Sequence, residues 1–210
     1  MNILIVGDSF SDPKWAKNNY LSWPELLSTV HQVTNLSLAG SSTWWSYQNF
    51  KKHYTEYDYC IFTITVPTRV HLESTDQHLN INSNFSYKGI SLEEVYYERF
   101  YSQEREDFLQ TAIVKDFLNT PNTLAIPSFS ESIAFHPGWS LCHISDLEAD
   151  FYKEFRPLKS DNRRPCHLSK EGNQTIYKKI IEAIDNNDKI LNISEADFIA
   201  PSDPKQVYWP

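Results

Sequence analysis

The run Ile3-Leu4-Ile5-Val6, leading straight into Gly7-Asp8-Ser9, constrains this chain more than any other stretch. Four consecutive aliphatic residues leave no polar face, so a strand built from them must be covered on both sides, as in a parallel sheet. Gly7 is free to take the tight conformation needed to leave the strand, which sets Asp8 and Ser9 at its carboxyl end. Open α/β sheets bind their ligands at that edge. Gly, Asp and Ser are also common turn formers, and the block alone reads equally well as a plain turn.

The other end of the chain separates these readings. Ser160-Asp161-Asn162-Arg163-Arg164-Pro165-Cys166-His167-Leu168-Ser169 precedes Ile176, Tyr177, Ile180, Ile181 and Ile184, whose spacing predicts an amphipathic C-terminal helix. Ser169 is placed to cap that helix, with Glu171 in its first turn near the positive end of the dipole. His167 then lies in the loop just ahead of a helix, where a histidine beside an acid can serve as a positioned base. The competing reading is an ordinary surface histidine.

Together the two ends resemble the SGNH (GDSL-type) hydrolase family. Its catalytic serine follows the first strand in a Gly-Asp-Ser block, and its histidine precedes the last helix. Phe10 stands where the family name has Leu. A second family block, a glycine after the second strand, is matched by Asn35-Leu36-Ser37-Leu38-Ala39-Gly40-Ser41-Ser42. The resemblance implies a single α/β domain over residues 1–210. It would be a three-layer α/β/α, flavodoxin-like sandwich with a central parallel sheet and long loop excursions over the carboxyl edge. It also implies Ser9 as nucleophile, His167 as general base, and the N–H groups of Ser9 and Gly40 as oxyanion donors.

Two positions depart from the family pattern. The third family block is Gly-x-Asn-Asp, whose Asn donates to the oxyanion; here Tyr59-Cys60-Ile61-Phe62-Thr63-Ile64-Thr65 runs into Val66-Pro67-Thr68-Arg69. Thr68 and Arg69 are both candidates for that third donor. The family acid stands three residues before the histidine, a position held here by Arg164, so Asp161 is the expected triad acid. These departures keep open a catalytically degenerate member that acts as a binding module.

Of 210 residues, 40% are hydrophobic and 22% charged, which suits one soluble globular domain. A net charge of −8 argues against nucleic acid as the main partner. No apolar stretch is long enough to span a bilayer. The first core strand starts at Asn2, which leaves no room for a signal peptide and predicts a cytoplasmic protein. Cys60, Cys142 and Cys166 are too widely spaced for a disulfide framework or a metal-ligand pattern. No metal and no cofactor are expected.

Pattern and turn signals predict helices over 23–30, 43–53 and, broken once, 93–118, with strands over 33–37 and 123–126, the last stopped by Pro127. Residues 70–87 and 128–147 read as loop-rich excursions, and the tail Val207-Tyr208-Trp209-Pro210 as packing back on the body. Trp44, Trp45 and Trp139 are candidate platforms for a sugar face or acyl chain, against a role as core fillers. Asp8 is expected to bond backbone beside the serine, and it counts with Arg164 among the candidate substrate-side residues. Arginine forks suit carboxylates and phosphates. The expected substrate is a small-molecule or carbohydrate ester, of the acyl or O-acetyl type.

Overall fold

The computed structural model describes residues 1–12, 20–72, 77–79, 86–87, 90–133, 136, 138–152 and 168–200. Its centre is a parallel sheet of four strands: β1 (Asn2–Val6), β2 (Gln32–Asn35), β3 (Tyr59–Ile64) and a strand at Thr123–Pro127, in the spatial order β2, β1, β3 and the 123–127 strand. β1 is interior, pairing Ile3 with Val33 on one side and with Tyr59 on the other.

The unbroken apolar run of β1 is explained by what covers it. Ile3 and Ile5 pack with Trp23, Leu27, Leu141, Ile144, Ile176 and Ile180, while Leu4 and Val6 pack with Phe50, Ile113, Val114 and Phe117. Alternate side chains of one strand thus enter two cores, one on each face of the sheet. The helices supplying the first face are α1 (Trp23–Ser28), α5 (Leu141–Tyr152) and α6 (Lys170–Asn186); α2 (Thr43–His53) and α4 (Gln103–Asn119) supply the second. Each fully buried Leu, Ile or Phe contributes roughly 1.5–3 kcal/mol, so β1 is anchored from both sides.

Local chemistry sets the helix ends as expected. Pro24 occupies the first turn of α1, where its missing N–H costs no hydrogen bond. Ser169 caps α6 and accepts from Gly172 N–H at 3.0 Å, and Asn187 ends the helix in the left-handed region at φ 57°.

Three expectations are corrected. Residues 70–91 contain two short antiparallel pairs, β4 (Val70–Leu72) with β5 (Gln77–Leu79), and β6 (Ser86–Tyr87) with β7 (Ile90–Ser91), ahead of α3 (Leu92–Arg99). The stretch 128–147 read as loop includes most of α5. Pro127 belongs to its strand, now β8, pairing with Ile64 rather than stopping short of it. A proline is tolerated there because β8 has no further full strand beyond it, only a bridge from Ala125 to Ile190. Among the described residues no helix is long and apolar enough to cross a membrane.

Candidate active site

The chain leaves β1 through Gly7, at φ 150°. A Cβ there would fall 1.7 Å from Thr63 Oγ1 and 2.7 Å from the Thr63 carbonyl oxygen, so β3 approaches too closely for any side chain. The next residues form a single turn, with the N–H groups of Ser11 and Asp12 both donating to the Asp8 carbonyl at 3.1 Å. Ser9 sits half-buried in that turn, at the carboxyl edge of the sheet. Among the described residues, neither its hydroxyl nor its N–H has a hydrogen-bond partner.

Asp8 points the other way. Its carboxylate is fully buried, accepts from Phe10 N–H and the Ser128 hydroxyl at 3.1 Å each, and lies 3.4 Å from Arg69 Nη1. Burial raises its pKa, and the Arg69 charge and these donors work against the rise. Arg69 also lies over the Phe129 ring at 5.2 Å, and Phe129 packs edge-on to Phe10. The arginine is therefore engaged behind the serine turn. Neighbouring Thr68 is half-buried, and its carbonyl accepts from the Tyr97 hydroxyl.

Gly40 is brought to the same edge by a turn in which Ser41 N–H donates to the Leu38 carbonyl at 3.0 Å. Its φ of 81° suits the third position of a type II turn, and no heavy atom lies within 4 Å of where a Cβ would stand. The Gly7 carbonyl accepts from Leu38 N–H at 3.0 Å and the Ser41 hydroxyl at 2.8 Å, so the residues flanking Gly40 are tied to the end of β1. Asp12 Oδ2 accepts from Ala39 N–H at 3.0 Å. The Gly40 N–H, like that of Ser9, donates to no protein acceptor among the described residues. Both N–H groups thus belong to turns held by the end of β1.

A small, shallow cleft beside Ser9, open to solvent, is lined by Ser9, Phe10, Ser11, Asp12, Ser22, Leu168 and Asn173. It joins the first and last elements of the fold. Trp23 N–H donates to Asn173 Oδ1 at 2.8 Å and its indole N–H to the Phe10 carbonyl at 2.8 Å. Asn173 Nδ2 donates to the Leu168 carbonyl at 2.9 Å, which also accepts from the Tyr20 hydroxyl at 3.0 Å. Leu168 directly follows His167 in sequence. His167, Asp161, Arg164 and Cys166, with the tail 207–210, lie outside the described residues.

The tryptophans separate. Trp44 and Trp45 lie in the first turn of α2, just past Gly40, with Trp44 37% exposed. Trp139 packs against the α5–α6 core with its ring 5.2 Å from His143, and it is not part of the Ser9 cleft. Cys60 is buried in β3 with its thiol pushed up to about 12 by desolvation, far from a thiolate nucleophile. Among the described residues no cluster of metal-ligating side chains occurs.

Sequence reasoning missed Glu148. It is fully buried on α5, and both its oxygens receive Ser169: Oε2 from the N–H at 2.7 Å and Oε1 from the hydroxyl at 2.6 Å. Asn173 and Ser128 were also missed; each acts through contacts more than a hundred residues away in sequence. No protein-family model matches the chain, and no curated protein matches it either.

Proposed function

We propose that this chain is a serine ester hydrolase of the SGNH (GDSL) type, built on the three-layer flavodoxin-like form of its α/β fold. What supports this most is that, among the described residues, the Ser9 hydroxyl and the N–H groups of Ser9 and Gly40 have no partner at the carboxyl edge of an interior parallel strand. Ser9 and Gly40 are half-buried, so their N–H groups stay open to solvent or to a bound acceptor. An oxyanion supplies that acceptor.

In this mechanism Ser9 Oγ attacks the ester carbonyl and passes its proton to His167, which Asp161 orients. The developing oxyanion accepts from the N–H groups of Ser9 and Gly40. His167 then protonates the leaving alkoxide. Water, deprotonated by the same base, hydrolyses the acyl-enzyme and restores Ser9. Leu168, the residue that follows His167 in sequence, lines the Ser9 cleft, which favours His167 for this part. Asp8, bonded to Phe10 N–H and Arg69, serves as the turn's internal brace. Arg69 is drawn to Asp8, which leaves Thr68 as the third donor from this segment. A hole with two backbone donors and a weaker third turns over slowly, since one donor is worth about a hundredfold or more in rate.

A small acyl or O-acetyl ester, on a carbohydrate or other small molecule, fits a shallow cleft with Trp44 exposed beside the Gly40 turn. The cellular site of action on this reading is the cytoplasm. The deciding experiment compares wild type and Ser9→Ala on p-nitrophenyl esters from acetate to octanoate, with fluorophosphonate labelling on the same samples. Turnover and labelling are expected in wild type and absent from the variant. Silence of the wild type in both assays would transfer the assignment to a binding module that retains the fold, the reading favoured by the missing third-block Asn.

A further inference from the structure

Glu148 takes no part in the chemistry above, yet it is the most unusual carboxylate among the described residues. It is fully buried, and its two hydrogen-bond donors are both on Ser169. Among the described residues no Lys, Arg or His pairs with it. On its own helix, His143 accepts from Ser140 N–H at 2.8 Å near the start of α5 and does not reach it. From α6, Glu171 adds a like charge, and from the segment before α1, Tyr20 places its hydroxyl on the neighbouring Leu168 carbonyl. Gly172 is the remaining close neighbour; a Cβ there would meet Glu148 Oε1 at 2.4 Å. Space for this carboxylate is therefore built into the first turn of α6.

The segment it grips forms part of the proposed site. Leu168 lines the Ser9 cleft and Ser169 is the next residue. We propose that Glu148 is a positioning residue: ionised, it clamps the Leu168–Ser169 backbone against the Ser9 cleft, and uptake of one proton loosens that clamp. The inference rests on the esterase reading of Ser9.

The geometry explains why a proton matters. Both carboxylate oxygens act as acceptors, and the helix N-terminus adds partial positive charge. A proton on Oε2 would face the Ser169 N–H and break that bond. A proton on Oε1 would point at Ser169 Oγ and turn the hydroxyl hydrogen away, so the Ser169-to-Oε1 bond is lost even though the oxygen keeps the Gly172 N–H. Burial opposes ionisation more strongly than the two Ser169 hydrogen bonds favour it, and the carboxyl titrates near neutrality, at about 7. The clamp therefore switches within the range where a general-base histidine also works.

The test measures the rate of Ser9 labelling by a fluorophosphonate from pH 5 to 9 for wild type, Glu148→Gln and Ser169→Ala, each checked for folding by circular dichroism. Wild type is expected to lose labelling on the acid side with two-proton steepness, one proton on the base and one on Glu148. Glu148→Gln should show a one-proton limb and label about tenfold slower at pH 8, since a charge-assisted clamp has become a neutral one. Ser169→Ala removes one donor to the carboxylate and should move the acid limb to higher pH; it also keeps the test open if Glu148→Gln does not fold.

Hydrogen exchange at the Ser169 and Gly172 amides is read in parallel, because it needs no reactive serine. Protection in wild type should fall between pH 8 and 6 beyond the intrinsic exchange trend, and the fall should vanish in Glu148→Gln. Superimposable acid limbs and exchange profiles in wild type and folded Glu148→Gln would overturn the proposal. A wild type that labels at no pH would sink the esterase reading, while the exchange data would still decide whether Glu148 is a proton-sensitive clamp.

Discussion

Asp8 and Glu148 are both fully buried carboxylates, and each braces one side of the Ser9 cleft. They do so by different means. Asp8 has Arg69 at 3.4 Å, a hydroxyl and a backbone N–H, so its charge is answered by a cation. Among the described residues Glu148 has hydrogen bonds alone, from one serine. Burial raises both pKa values, but among the described residues a positive charge works against the rise at Asp8 and none does at Glu148. The serine side is thus a paired, rigid unit, and the α6 side carries a group poised to change its charge. Desolvation of a carboxylate can serve structure or response, depending on whether a cation comes with it.

The largest expected effect comes from breaking the rigid side at its root. Gly7→Ala forces a methyl group into Thr63 Oγ1 and the Thr63 carbonyl. It should lower stability by more than about 3 kcal/mol or prevent folding, as read by urea unfolding followed by tryptophan fluorescence. A variant that unfolded at the wild-type midpoint would mean that the β1 exit is softer than its contacts indicate.

Next is Arg69→Met, which leaves Asp8 buried without its cation. Removing one partner of a mostly buried pair costs about 3–5 kcal/mol at pH 8. The loss should shrink as the pH falls, because a carboxyl whose folded pKa is raised is stabilised by taking up its proton. A pH-independent loss would show that packing over Phe129, rather than the ion pair, is the main contribution of Arg69.

The smallest effect concerns the α6 side. In the folded protein Glu148 keeps its proton up to about 7, well above the ordinary carboxylate range. Between about 4.5 and 7 the folded chain binds a proton that the unfolded chain has lost, so stability is present in acid and declines as pH rises through that window. The decline attributable to Glu148 amounts to roughly 3 kcal/mol. Glu148→Gln should flatten it in thermal melts from pH 5 to 8. If the melting profiles keep the same slope, Glu148 does not differ from Asp8 in the way described here.

What the sequence made legible was local. The β1 run, Gly7 at its end and the Ser169 cap are marked by neighbours within a few residues of sequence, and each stands where the pattern placed it, whereas Gly40 was pointed to by the family resemblance alone. α5 was hidden because its buried face includes Ser145 and Glu148 beside Leu141 and Ile144, which interrupts the apolar period that marks a helix. The short strand pairs between 70 and 91 were hidden by brevity, at two or three residues each. The braces were out of reach for another reason. Asp8 with Arg69 and Asn173 with Trp23 join residues 61 and 150 positions apart, and only the folded chain brings them together.

The Gly7 carbonyl, which holds both Leu38 N–H and the Ser41 hydroxyl, has a mechanical consequence. The two free N–H groups do not ride on separate loops anchored to separate strands. One is two residues beyond that oxygen along the chain, and the other lies between the two groups bonded to it. A displacement of the Gly7 carbonyl would therefore be felt in both turns at once, through two hydrogen bonds.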